Sequence, residues 1–294
     1  MTPVKWVYSF LEKYRYKMAA GLLMVTGIAL LTIVNPYISG RIVDDVITGG
    51  NYKLLPVLIG CLLGVVALKG ILRYASQVMF EICSQGVLYS MRDAVYRKLL
   101  QEDFSFYNKN RTGDLMSRQT GDMDAIRHFI AYIIYSVYEN ILLLSFALIM
   151  IFTVNVKLAL AMLVVLPFTA LTTYGQSKSV RPAFMKIRQQ FSSLNTFVQE
   201  NISGNRVVKA FAREDFEIEK FNKENDAYRD AELNAAAIWK KYVPIFEFLS
   251  NILTVVLMLY GGYMVIQGEI TMGNLVTVNG YLWMLTVPLR MAGW

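Results

Sequence analysis

Hydrophobic and polar positions come in blocks along this chain. Stretches free of Asp, Glu, Lys and Arg recur at 18–40, 140–156, 158–177, 248–268 and 270–289. A shorter one covers 54–68, and another, 129–138, extends the 140–156 stretch across a lone acid, Glu139. About 20 apolar residues cross a hydrocarbon core, so the pattern predicts six membrane-spanning helices. The two short stretches reach that length if their helices continue through partly polar protein surroundings. A buried core helix explains any one of these stretches, but six together argue for a membrane.

Between the second and third spans, and between the fourth and fifth, lie two long polar passages. In 74–102 and 178–206 charged residues alternate with apolar ones at helical spacing, as in Met91, Val95 and Leu99 with Arg92, Arg97 and Lys98 between them. Helix breakers are few: Gly86, Pro182 and Gly204. The spacing therefore predicts that the spans run on as helical arms, roughly 40 Å beyond the bilayer for some 25 residues.

Each pair of arms turns back through a distinctive tip. The first tip lies in "FYNKNRTGDLMSRQTGDMDAIR", which is dense in turn residues around Gly113. Thr112 is expected to cap a short helix "DLMSR", and Thr120 to cap the return helix, whose first turn gains Asp122 and Asp124. The second lies in "ENISGNRVVKAFAREDFEIEKF", where Gly204 and Asn205 are expected to loosen the descending arm. Val207, Phe211, Ile218 and Phe221 are spaced to share a face. Phe211 and Phe216 on a solvated tip call for a partner. On spacing alone an ordinary helical hairpin turn accounts for either tip equally well.

Composition agrees with a membrane chain. Of 294 residues 55% are hydrophobic and only 17% charged, where soluble domains carry about a quarter. The net charge of +7 fits basic membrane flanks better than nucleic acid. Outside the first span Arg41 and Lys53 are balanced by Asp44 and Asp45; the other outer turns offer only Lys157 and Glu269. Nearly all remaining Lys and Arg precede the first span or occupy the arms, which places the arms and the N-terminus in the cytoplasm. The sequons at Asn110 and Asn201 then face the cytoplasm and count as chance matches. Residues 18–40 are too long for a signal-peptide core, so they are read as a span after a basic 1–17 elbow. Cys61 and Cys83 are read as apolar fillers rather than a disulfide, and the lone His128 has no ligand set around it, so no metal site is expected.

The residues of the two tips carry a family resemblance. "DFSFYNKNRTGDLMSRQTGDMDAIR" resembles the first intracellular loop of type I ABC exporters, and "ENISGNRVVKAFAREDFEIEKFNKEN" resembles their second. "GEITMGNLVTVNGYLWMLTVPL" is similar to the start of their sixth span, and "GRIVDDVITGGN" to their first external loop. The resemblance covers essentially the whole chain. It implies an all-α membrane protein of six long transmembrane helices with cytoplasmic extensions and two coupling helices, short elements that dock on a nucleotide-binding domain. Matched residue by residue, the first coupling helix takes Thr112, Gly113, Asp114, Leu115, Ser117 and Arg118, and the second Ala210, Phe211, Arg213 and Glu214. The second is expected to reach the nucleotide domain of a partner subunit.

The chain departs from the whole transporter in two respects. It contains no G-x-x-x-x-G-K-[ST] phosphate loop and no L-S-G-G-Q signature, so no ATP site of the usual kind is expected within it. It is accordingly read as the membrane domain 1–294 of a half-transporter, truncated before its nucleotide domain and with an incomplete sixth helix; ATP and Mg are expected at the missing domain. The implied partners are that domain, fused or separate, a second transmembrane half as homo- or heterodimer, the bilayer, and a small-molecule, lipid or peptide substrate. The implied location is a bacterial cytoplasmic membrane. Polar groups in or near the spans are candidates for a substrate path: Asn35, Arg73, Glu81, Glu139, Asn279 and Arg290. A permease served by a separate ATPase chain, or a passive channel or scaffold, are the alternative readings. An enzyme acting on lipid is disfavoured by the lack of a clustered acid, base or nucleophile.

Overall fold

The computed structural model describes residues 3–291; positions 1–2 and 292–294, where the sequence predicts the start of an elbow and the end of a sixth helix, lie outside them. Among the described residues every regular element is helical. In chain order the α-helices are α1 (Pro3–Leu11), α2 (Arg15–Arg41), α3 (Leu55–Gln101), α4 (Phe104–Lys109), α5 (Thr112–Ser117), α6 (Met123–His128), α7 (Ile134–Val154), α8 (Val156–Leu163), α9 (Leu166–Ala210), α10 (Glu214–Val256), α11 (Gly262–Ile266) and α12 (Met272–Met291). Widened, π-helical turns at Arg118–Asp122 and Phe129–Ile133 join α5, α6 and α7 into one continuous rod, and another at Leu257–Gly261 joins α10 to α11.

The expected arms are present as helix. The 47 residues of α3 and 45 of α9 correspond to lengths of roughly 70 Å, more than twice a 30 Å hydrocarbon core. Gly204 and Asn205, expected to loosen an arm, sit inside unbroken α9. One glycine costs only about 1 kcal/mol in a helix, which the long packed hairpin outweighs. Among the described residues five helical stretches are long and apolar enough to cross a membrane, where six were expected. The sixth helix stands where expected, as α12, but Asn274, Asn279, Gly280 and Pro288 dilute its apolar character. Its Val278, Tyr281, Met284 and Leu285 are buried within the protein, so packing with neighbours takes the place of uniform lipid contact.

The chain folds as two compact units, Met1–Ala159 with Leu257–Leu285, and Leu160–Val256 with Thr286–Trp294. In the first, α2 packs against α3 and α7. Val25, Phe80 and Tyr135 form one core there, and Val87, Leu88, Met91, Met123 and Ile130 another. The first helix α1 lays Trp6, Val7 and Phe10 on the second core, at helical spacing, so it braces the arm portion of α3.

A seam between α2 and α12 completes this unit. Gly40 lies against Gly273 and Thr277, and Gly280 against Pro36, so closely that a Cβ on Gly280 would sit 2.6 Å from the proline Cβ. Pro36 denies α2 one ladder hydrogen bond. One turn before it the Tyr281 hydroxyl, fully buried, donates to the Ile33 carbonyl at 3.0 Å. At the start of α12 Thr271 caps the helix by accepting from Asn274 N–H (3.0 Å). Asp44, from the turn after α2, adds a carboxylate that accepts from Gly273 N–H at 2.7 Å and from the Thr271 hydroxyl at 2.5 Å. A negative group at a helix N-terminus is favourable by about 0.3–1 kcal/mol. Lys157 and Glu269 pair at 3.0 Å, so the lone charges of two turns between spans satisfy one another.

In the second unit α9 and α10 form an antiparallel hairpin. Ala231 and Ala235 let the backbones approach, and Phe191 meets Tyr228 at 5.6 Å between ring centroids. Thr169, Thr173 and Gln176 form a buried polar stripe on α9, where Thr173 donates to the Leu289 carbonyl at 3.0 Å.

Candidate functional site

At the first tip α3 stops at Gln101 because Glu102 and Asp103 adopt extended backbone. The Asp103 side chain then caps α4 by accepting from the Phe106 N–H at 3.0 Å, and from the Ser105 hydroxyl at 2.8 Å. The hydrogen bond from Ser105, followed by that from the Phe106 backbone, holds the Asp103 carboxyl below its ordinary pKa. Asn110 and Arg111 are extended again. The short helix Phe104–Lys109 is thus set off from both arms. Tyr107 anchors it by donating to the Leu99 carbonyl at 2.6 Å, and Asn110 closes it by donating to the Phe106 carbonyl at 2.9 Å. Phe104 is 89% exposed.

This corrects the expectation for the first tip. Thr112, Gly113, Asp114, Leu115, Ser117 and Arg118 do not form an isolated helix; they are the opening turns of the rod that returns to the membrane, unbroken to Val154. Thr112 makes no capping bond, since the cap position falls on Arg111. Thr120 caps nothing either, because its hydroxyl donates backward to the Met116 carbonyl at 2.9 Å. The separate element lies one step earlier. Its signal in the sequence was the aspartate of "DFSFYNKN", a capping residue with serine two positions on.

The second tip is a turn, not a helix. Ala210 ends α9, Glu214 starts α10, and residues 211–213 join them. Arg213 N–H donates to the Val208 carbonyl (3.1 Å) and Ala212 N–H to that of Lys209 (3.3 Å). This paired pattern closes a helix through one left-handed residue, and that residue is Ala212, at φ 49°. Lys209 and Glu214 pair across the turn at 2.8 Å. Phe211 is 74% exposed, and Val207, Ile218, Phe216 and Phe221 are exposed as well. An open groove of about 650 Å³, lined by Gly204, Val207, Glu217 and Lys220 among others, runs behind them between α9 and α10.

The substrate-path candidates have different surroundings. Arg73 and Glu139 bind each other, fork to fork, at 2.7 and 2.5 Å. Glu81 accepts from Gln85 (2.8 Å) and pairs with Arg127 (3.2 Å). Asn35, beside Pro36, keeps a buried side-chain oxygen that accepts no hydrogen bond. Asn279 and Arg290 are exposed. Sequence reasoning missed the stripe of Thr169, Thr173 and Gln176, whose polar groups sit within an apolar span and left no charge to notice. His128 stacks on Tyr132 at 5.6 Å, and among the described residues no group of three or more His, Cys, Asp or Glu could hold a metal.

Residues 18–289 match the ABC transporter transmembrane region. The chain belongs to that family. Among its relatives is the ABC transporter ATP-binding protein YknU of Bacillus subtilis, 38% identical over 92% of this chain and 47% of the relative. The ATP-dependent lipid A-core flippase of Syntrophus aciditrophicus is 27% identical over 94% of the chain and 46% of its own length. The multidrug resistance-like ATP-binding protein MdlA of Escherichia coli is 27% identical over 96% and 48%. The chain spans about half the length of these relatives. Membership makes the rods membrane helices of a transporter, and the tips are the parts of this transmembrane region farthest along the arms.

Proposed function

We propose that this transmembrane region is the membrane half of an ATP-driven exporter, working by alternating access in a dimer of halves, with its tips receiving force from a nucleotide-binding domain. The observation that carries the reading is the construction of the tips. Two pairs of long helices leave the apolar spans, and they end in Phe104 and Phe211, 89% and 74% exposed. A phenyl ring gains about 1.5–3 kcal/mol on leaving water, so two such rings at solvated ends favour docking surfaces over plain turns. A channel or scaffold has no use for either. At the first tip the docking element is α4, with Phe104 at its start; at the second it is the turn around Phe211, flanked by Arg213 and Glu214. The names of the relatives support a lipid-like or drug-like amphipathic substrate.

The test uses the chain together with its nucleotide-binding domain in proteoliposomes, with a panel of fluorescent dyes and labelled lipids as transport probes. Phe104→Ala and Phe211→Ala are expected to insert and bind nucleotide normally while losing most substrate-stimulated ATP turnover and transport. Full transport by both variants would overturn the reading, as would misfolding showing that the rings are core residues.

A further inference from the structure

A groove of about 420 Å³ opens on the first unit between α3 and the rod formed by α6 and α7. Tyr74, Gln77 and Glu81 line it from α3, and Arg127, Tyr132 and Tyr135 from the rod. It lies where the apolar part of α3 gives way to the arm: the charge-free stretch ends at Leu68, and Lys69, Arg73 and Glu81 follow. Tyrosines gather at this level, as they do at the headgroup region of a bilayer. Tyr132 stands edge-on to Tyr135 at 5.5 Å and stacks with His128, so one wall is a fixed aromatic surface.

The polar groups of the groove are only partly used. Both bonds to Glu81, from Gln85 and from Arg127, fall on Oε1. Arg127 spends Nε on Asp124 (2.7 Å) and Nη1 on Glu81. Among the described residues this leaves Glu81 Oε2 as an acceptor and Arg127 Nη2 as a donor, on two paired side chains of opposite charge. Arg127 is itself held in place by two carboxylates, so its free edge is preorganised.

We infer that this groove binds the headgroup of a zwitterionic phospholipid carrying a primary amine, phosphatidylethanolamine in chemical class. The ammonium donates to Glu81 Oε2 beside the exposed Tyr74 ring, where a cation is favoured. The phosphate accepts from Arg127 Nη2, and Tyr74 and Val78 border the acyl chains. A choline headgroup has no N–H to give Glu81. An anionic glycerol headgroup brings nothing to answer that carboxylate. The lipid is a resident of the α3–α7 interface rather than cargo. The inference requires only that the chain spans a bilayer, so it stands or falls separately from the transport reading.

Native mass spectrometry of the full chain, released from vesicles of mixed phosphatidylethanolamine, phosphatidylcholine and phosphatidylglycerol, tests it. The wild type is expected to retain the ethanolamine lipid preferentially. Glu81→Gln is expected to lower that retention about tenfold, the equivalent of one charge-assisted hydrogen bond, and to leave the choline lipid unchanged. Tyr74→Ala, at a side chain 73% exposed and therefore safe for folding, is expected to lower it as well. Preference for phosphatidylglycerol, equal retention of all three lipids, or ethanolamine retention unaffected by both variants would overturn the assignment.

Discussion

The α2–α12 seam makes a sharp prediction through two glycines of the same helix. Gly27 and Gly40 both lie in α2, and replacing either by alanine brings a gain of about 0.8–1.0 kcal/mol in helix propensity. Their surroundings differ. A Cβ at Gly27 meets only the Leu72 Cδ1, at 3.5 Å, an ordinary contact. A Cβ at Gly40 runs into the Thr277 hydroxyl and the Gly273 carbonyl. Thr277 can rotate away, but the backbone oxygen cannot, so the helices must part. Overpacking of this kind costs about 1–3 kcal/mol, and a backbone collision belongs at the upper end. Gly27→Ala is therefore expected to be neutral or stabilising by up to about 1 kcal/mol, and Gly40→Ala to be destabilising by about 2 kcal/mol net. Unfolding of the two variants in mixed micelles by denaturing-detergent titration, followed by tryptophan fluorescence, gives the difference directly. Equal midpoints for the two would refute the close-contact account of the seam.

Four further outcomes follow from the geometry. Tyr281→Phe removes the only side-chain donor on the Ile33 carbonyl among the described bonds and should destabilise by about 1–3 kcal/mol in the same titration, while Tyr263→Phe, at an exposed ring, should not. Ala212→Gly relieves a left-handed alanine and should stabilise the α9–α10 hairpin by about 1 kcal/mol, read as slower amide exchange on either side of the turn; unchanged exchange would contradict it. Removing one partner of the Arg73–Glu139 pair should cost more than removing both, since each single change strands a charge near the bilayer; a double-mutant cycle with Arg73→Met and Glu139→Leu reads the coupling. The Asp103 carboxyl, held low, contributes its cap fully above the ordinary carboxylate value of about 4 and loses it as pH falls through the depressed folded value. Amide exchange in α4 should thus show no change in protection from this cap between neutral pH and about 5, then a loss in stronger acid that Asp103→Asn abolishes.

Much of the architecture was legible because it rests on long-range periodicity. The arms follow from apolar positions such as Met91 and Leu99 recurring through charged sequence, and Met91 proves fully buried. Local punctuation was harder to read. Thr112 and Asp103 are both good capping residues, and only the extended backbone at Glu102 and Asn110 decides that Asp103 does the capping. A threonine in mid-helix can also turn its hydroxyl onto the preceding turn, as Thr120 does. At the second tip nothing in "KAFARED" announces that an alanine takes the conformation usually left to glycine. Arg73 and Glu139 were picked out as separate polar groups, because pairing between residues 66 positions apart leaves no mark in a single sequence.

The continuity of α9 sets a mechanical ratio. From the end of the apolar stretch at Ser177 to Ala210 the helix runs roughly 50 Å without a break, at 1.5 Å per residue. Adding half the hydrocarbon thickness, about 15 Å, Phe211 lies about 65 Å from a pivot at the bilayer centre. A tilt of only 5° there, well inside the scatter that helix packing tolerates, sweeps the ring through about 6 Å, one full turn of helix. Run in reverse, the same rod is a reducing gear. A displacement of one helical turn at Phe211 would arrive at the buried Thr173, about 9 Å from that pivot, as a shift of less than about an ångström, small in distance but multiplied in force.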